Sequence, residues 1–138
     1  MVQLFETSRF QNIAITGLRI SLGLIFFWFG ALKVAGYNPV YEIVYASFPI
    51  LASGTGNILL GIFETLIGAG LLIDRLPRVI NIVLLAHLAD TFSVFFTAPY
   101  LMFHPYFPIL TLAGEFVFKN ATLAMAGLTL LAYQRRHV

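Results

Sequence analysis

The sequence contains no cysteine, and only 10% of its 138 residues are charged. The missing thiols exclude disulfide frameworks, iron–sulfur ligation, thiolate zinc sites and thiol-redox chemistry. The shortage of charge excludes a nucleic-acid-binding surface, because eight Lys and Arg residues, several of them inside apolar runs, are too few to build one. A water-soluble domain of this composition would also expose large apolar patches.

Apolar residues dominate what is present: 59% of the chain is hydrophobic and the mean hydropathy is +0.90. Such values are typical of an integral membrane protein. The segments long enough to cross a hydrocarbon core of about 30 Å as helices are Asn12–Val34, Thr55–Ile73, Val79–Thr97 and Pro108–Tyr133. Their apolar runs are continuous rather than alternating, which favours helices over a β-barrel. The predicted fold is all-α, an integral membrane four-helix bundle forming one domain over residues 1–138.

The basic residues outside the spans predict the orientation in the membrane. Those on one side are Arg9, Arg75, Arg78, Arg135 and Arg136. The opposite side has only Lys33, at the boundary of the first span. Because cytoplasmic loops are enriched in Lys and Arg, we expect both termini to face the cytoplasm.

The two connections on the other side are rich in aromatic residues. Between the first and second spans, Asn38 can cap a helix, Pro39 suits its first position and Pro49 can end it, which predicts a short interfacial helix at about Pro39–Phe48. The second connection, TAPYLMFHPYFP, contains three prolines and is expected at headgroup depth. Together they would form an aromatic lid that either anchors the bundle or covers a ligand vestibule.

Ionisable residues inside the spans need an explanation, because inserting each of them at the centre of a membrane costs roughly 2.5–3.5 kcal/mol of free energy. They are Arg19, Glu64, His87, Asp90, Glu115 and Lys119. We expect them to be paired in the bundle interior, and counting along the helices predicts the pairs Arg19–Glu64 and Asp90–Lys119. Lys33 can instead extend to the interface.

Spacing supports an inward-facing Glu64. The residues Asn57, Gly61, Glu64 and Gly68 share one helix face, where small side chains let another helix approach.

A ligand site, if present, is expected in the non-cytoplasmic half. Its candidate residues are Lys33, Tyr37, His87, Asp90, Tyr100, His104, Glu115 and Lys119. No metal site is predicted, because His87 and Asp90 lack a third ligand. The polar cluster is thus either a structural ion-pair network or a polar pocket, and no catalytic residue is assigned.

Three stretches carry a family resemblance: LRISLGLIFFWFGALKVAGY, GIFETLIGAGLLIDRLPR and FPILTLAGEFVFKNATLAMAGL. With these, the chain resembles the DoxX-like family of small bacterial and archaeal four-helix membrane proteins. The resemblance implies a location in the prokaryotic cytoplasmic (inner) membrane. It also implies a polar signature made of Arg19, Gly30, Lys33, Glu64, Glu115, Lys119 and Asn120.

The resemblance implies a membrane subunit or accessory protein that supports a redox or oxidative-stress-related complex. Its partners would be the lipid bilayer and either another membrane protein or further copies of the chain. The alternative is a redox subunit that binds quinone or another small lipophile, with quinone as the candidate cofactor. A transporter acting as an oligomer is a third, weaker alternative. Whether the chain is an enzyme stays open.

Overall fold

The computed structural model describes the backbone of residues 2–136 and the side chains of residues 8–134. The long helices are α1 (Val2–Val34), α3 (Gly54–Ile73), α4 (Pro77–Phe92) and α7 (Leu112–Arg136). The short helices are α2 (Tyr41–Ser47), α5 (Val94–Thr97) and α6 (Pro99–Met102), and a 3-10 turn occupies Pro49–Leu51. Over the described residues no β-strand is formed, and the predicted all-α fold is confirmed.

Four helical stretches are long and apolar enough to cross a membrane: Ser8–Val34, Gly54–Ile73, Pro77–Thr97 and Leu112–Gln134. They correspond to the predicted spans of the integral membrane four-helix bundle. The fourth begins at Leu112 rather than Pro108, because an isolated bridge between Phe103 and Leu110 closes a turn there. The side chains of Arg135 and Arg136, which the orientation argument uses, lie outside the described residues.

Glycine allows α1 and α3 to pack antiparallel at very short range. A Cβ atom on Gly61 would lie 2.7 Å from the Gly30 carbonyl oxygen, and one on Gly68 would lie 2.7 Å from that of Gly23. Both distances are shorter than real Cβ contacts, so no larger residue fits without separating the helices. The predicted small-residue face of α3 is therefore confirmed, and Glu64 on this face is buried.

Two apolar clusters hold the bundle together. One contains buried residues from all four long helices: Leu22, Phe26, Ile67, Leu71, Leu84, Leu88 and Leu130. The other joins the short helices to α7: Ile43, Val94, Ala98, Met102 and Val117. The predicted interfacial helix is present as α2, which buries Ile43 while Tyr41 and Tyr45 stay exposed. This amphipathic placement brings α2 over one end of the bundle.

Candidate functional site

A group of ionisable side chains, made of the buried Lys33 and Glu64 and the half-buried His87, lies at the junction of α1, α3 and α4. The Lys33 Nζ donates a hydrogen bond to Glu64 Oε2 at 2.7 Å, and the His87 Nε2 lies 3.1 Å from Glu64 Oε1. Lys33 is only 2% exposed and Glu64 only 6%. Each side chain comes from a different helix, so the group fixes the register of three helices and places polar atoms deep in an apolar bundle.

Neighbouring side chains hold this group in place. The Asn57 side-chain amide donates to the Lys33 carbonyl oxygen at 3.1 Å, which ties the end of α1 to the start of α3. The His87 ring meets the rings of Phe26 and Phe63 edge-on, with centroids 6.0 and 5.5 Å apart. These contacts leave the polar atoms few alternative positions on the packed side of the group.

A cavity of about 360 Å³ opens beside the charged group. Its aromatic walls are formed by Phe26, Phe29, Phe63 and Phe116, from α1, α3 and α7. Residues of α2 and the turn after it, including Val44 and Phe48, cover one side. Its polar residues include Lys33, Glu64, His87, Asp90 and Asn120. Apolar walls with a few convergent polar groups are the usual composition of a small-molecule site.

Asp90 adds a carboxylate to this cavity without a neutralising partner. It lines the cavity and is half-buried, yet among the described side chains no cation forms a salt bridge with it. The Ser93 hydroxyl donates a hydrogen bond to the Asp90 backbone carbonyl at 2.5 Å and not to the carboxylate. The cavity therefore contains both hydrogen-bond donors, on Lys33 and Asn120, and an acceptor that is not already engaged.

The predicted ligand-site residues divide into two groups. Lys33, His87 and Asp90 line the cavity. The others are exposed and lie outside its lining: Tyr37, Tyr100, His104, Glu115 and Lys119. Tyr100 and His104 lie outside because the second connection packs its buried Ala98 and Met102 beside α7 instead of over the cavity. The other three are on exposed surfaces of α7 and of the segment before α2. Of the two connections, only α2 with its flanking residues covers the cavity, and Phe48 is the aromatic side chain that it places in the lining. The expected aromatic lid is therefore corrected to a cover of mainly aliphatic residues, since Tyr41 and Tyr45 are exposed.

Both predicted ion pairs are wrong. Arg19 donates instead to the carbonyl oxygens of Leu71 and Leu72 at the end of α3, and its Nε lies 3.9 Å from Asp74 Oδ1. This position suits a cation, because carbonyl groups at a helix C-terminus carry partial negative charge. Lys119 is exposed on α7, and among the described side chains it forms no ion pair with Asp90.

The error arose because depth alone does not fix which way a helix is rotated. The close packing of α1 on α3 sets Lys33 beside Gly61, where a Cβ atom on Gly61 would lie 2.8 Å from Lys33 Cβ. From there the Lys33 side chain extends one turn along α3 to Glu64. The expectation that Lys33 extends to the interface is corrected for the same reason. Phe29, Phe63 and Phe116 were missed as cavity residues, since nothing in their spacing separates them from lipid-facing aromatics.

The described residues contain no group of three or more His, Asp or Glu side chains placed to hold a metal ion. No family model, curated protein or solved structure matches this chain. The functional argument therefore depends on the cavity and its charged group.

Proposed function

We propose that this chain is a DoxX-like membrane subunit that binds a small lipophile of the quinone class in the cavity beneath α2. The observation that carries the proposal is the contact between aromatic walls and the buried Lys33–Glu64–His87 group in one cavity. Its volume of about 360 Å³ lies within the usual range for small-molecule sites, roughly 300–1,000 Å³. A ring-bearing ligand can reach such a site from the lipid phase without crossing water.

The polar residues suit both redox forms of a quinone. An oxidised quinone has two carbonyl acceptors, and Lys33 and Asn120 offer donors along the wall. A reduced quinol has two hydroxyl donors, and the Asp90 carboxylate offers an acceptor. The rings of Phe29 and Phe116, whose centroids are 6.0 Å apart, supply flat apolar surface for the ligand ring.

In this proposal the chain transfers protons to the ligand, and a partner protein supplies the electrons. Reduction of a quinone consumes two electrons and two protons, and the electrons come from a redox protein bound to this subunit. His87 and Glu64, hydrogen-bonded to one another, form a path along which a proton can move to a ligand oxygen. Lys33 keeps the group near neutrality while the proton moves.

The proposed location is the prokaryotic cytoplasmic membrane with both termini in the cytoplasm, in a complex concerned with redox chemistry or oxidative stress. The loop arginines support the orientation. In that orientation α2 lies at the non-cytoplasmic surface, so the ligand enters from that half of the bilayer.

Ligand binding is tested on protein purified in mild detergent from its native membranes. Solvent extraction followed by mass spectrometry should recover a quinone in near-stoichiometric amount. A titration with a short-chain quinone, followed by calorimetry, should then give saturable binding to the extracted protein.

Two variants of α2 localise the site. Val44→Trp places a large side chain in the cavity, whereas Tyr45→Trp changes an exposed residue of the same helix. We expect Val44→Trp to weaken binding at least about tenfold, which corresponds to about 1.4 kcal/mol, and Tyr45→Trp to leave it unchanged. Absence of any saturable binding, or equal binding by a folded Val44→Trp variant, would contradict the proposal.

A further inference from the structure

The outward face of α7 differs from those of the other long helices. The exposed residues of α1 and α3 within the spans are largely bulky and apolar, such as Trp28, Phe27 and Leu66. By contrast, α7 exposes Glu115 and Lys119 and has the lowest mean hydropathy of the four spans. Among the described side chains, neither of these two residues forms an ion pair.

Lys119 is an exposed charged residue within the fourth apolar span. It lies seven residues after the start of α7 at Leu112, which corresponds to about 10 Å along the helix axis. Charged side chains at such depth are rare and are almost always paired or turned toward protein. A protein surface against this part of α7 would give Lys119 the ion-pair partner that the described side chains do not supply.

Six of the exposed residues of α7 follow a regular pattern. Intervals of three and four residues separate Glu115, Phe118, Thr122, Met125, Thr129 and Ala132, and all of them are exposed. We call this set the α7 seam. A repeat of 3.5 residues is the pattern by which two parallel helices pack side by side. The small side chains at Thr122, Thr129 and Ala132 allow the close approach typical of helix pairs in membranes.

We propose that two copies of this chain pack against each other along the α7 seam, about a two-fold axis normal to the membrane. Copies inserted the same way up place their α7 helices parallel. On each helix Glu115 and Lys119 lie one turn apart, so the two copies bring two carboxylates and two ammonium groups to the same end of the interface. There Lys119 of each copy offsets the Glu115 carboxylate of the other, which gives two ion pairs across the axis. The charges thus complement themselves, as a two-fold interface requires. The inference is independent of the ligand in the cavity.

The native chain contains no cysteine, so single introduced cysteines report this contact directly. Thr122→Cys and Thr129→Cys lie on the seam, and Ile62→Cys is the control, because Ile62 is an exposed residue within span α3. In membranes treated with copper phenanthroline, the seam variants should form a species of twice 15.3 kDa while the control stays monomeric. Equal cross-linking of the control, no cross-linking of the seam, or an adduct with a different protein would overturn the proposal.

Charge reversal tests the ion pairs within the Thr129→Cys background. Glu115→Lys alone and Lys119→Glu alone each bring like charges together, so cross-linking should fall several-fold. The double reversal restores opposite charges, and cross-linking should return close to the starting level. If the double variant cross-links no better than the single ones, or if the single reversals have no effect, Glu115 and Lys119 do not pair across this interface.

Discussion

The contact between Lys33 and Glu64 makes a double-mutant cycle the sharpest test of the buried charged group. Lys33→Met removes the ammonium and keeps most of the side-chain length, while Glu64→Gln removes the negative charge and keeps a group that can hydrogen-bond His87. Each single change leaves one buried charge with its main partner gone, since Lys33 is 2% exposed and Glu64 6%.

The expected magnitude follows from this burial. Breaking a buried ion pair by removing one partner costs about 3–5 kcal/mol, whereas replacing both partners is often close to neutral. In Lys33→Met the His87 Nε2, 3.1 Å from Glu64 Oε1, can still hydrogen-bond the remaining carboxylate. We therefore expect Lys33→Met to lower the free energy of unfolding by about 3 kcal/mol, the low end of that range. The double variant should be at least about 2 kcal/mol more stable than the sum of the two single effects predicts.

The free energy of unfolding is measured by titrating the purified protein in mixed micelles with sodium dodecyl sulfate and following the far-ultraviolet circular dichroism. Glu42→Gln is the matched control, because Glu42 is an exposed carboxylate on α2 and its loss should change stability by less than about 0.5 kcal/mol. Single effects that add to within about 0.5 kcal/mol would refute the reasoning, because independent sites behave in that way.

Three further outcomes follow from the fold and the proposed orientation. Gly61→Leu should prevent α1 and α3 from packing and lower the melting temperature sharply in a thermal scan, whereas Gly17→Leu should be tolerated, because a Cβ atom on Gly17 meets nothing within 4 Å. Trp28, which is 67% exposed within α1, should lose fluorescence in brominated lipid, and unchanged emission would show that protein covers it. A reporter active only in the cytoplasm should give signal when fused after Val138, and a silent but stable fusion would reverse the proposed orientation.

The sequence alone determined the helical architecture. A hydrocarbon core can accept only chains whose backbone polar groups bond internally, so long continuous apolar runs predict membrane helices without any knowledge of packing. Local sequence patterns also predicted two features beyond the membrane helices. The proline-bounded segment after span one predicted α2, and the small-residue face of α3 predicted that Glu64 points inward.

Only the tertiary structure decided which side chains meet. Depth along a helix can be counted from sequence, but rotation about its axis depends on its contacts, and the close approach of Gly30 to Gly61 selected Lys33 as the partner of Glu64. Rotation likewise set Lys119 on the outside of α7 although its residue type suggested the interior. The lid was decided in the same way, because α2 packs over the cavity and the proline-rich connection packs beside α7.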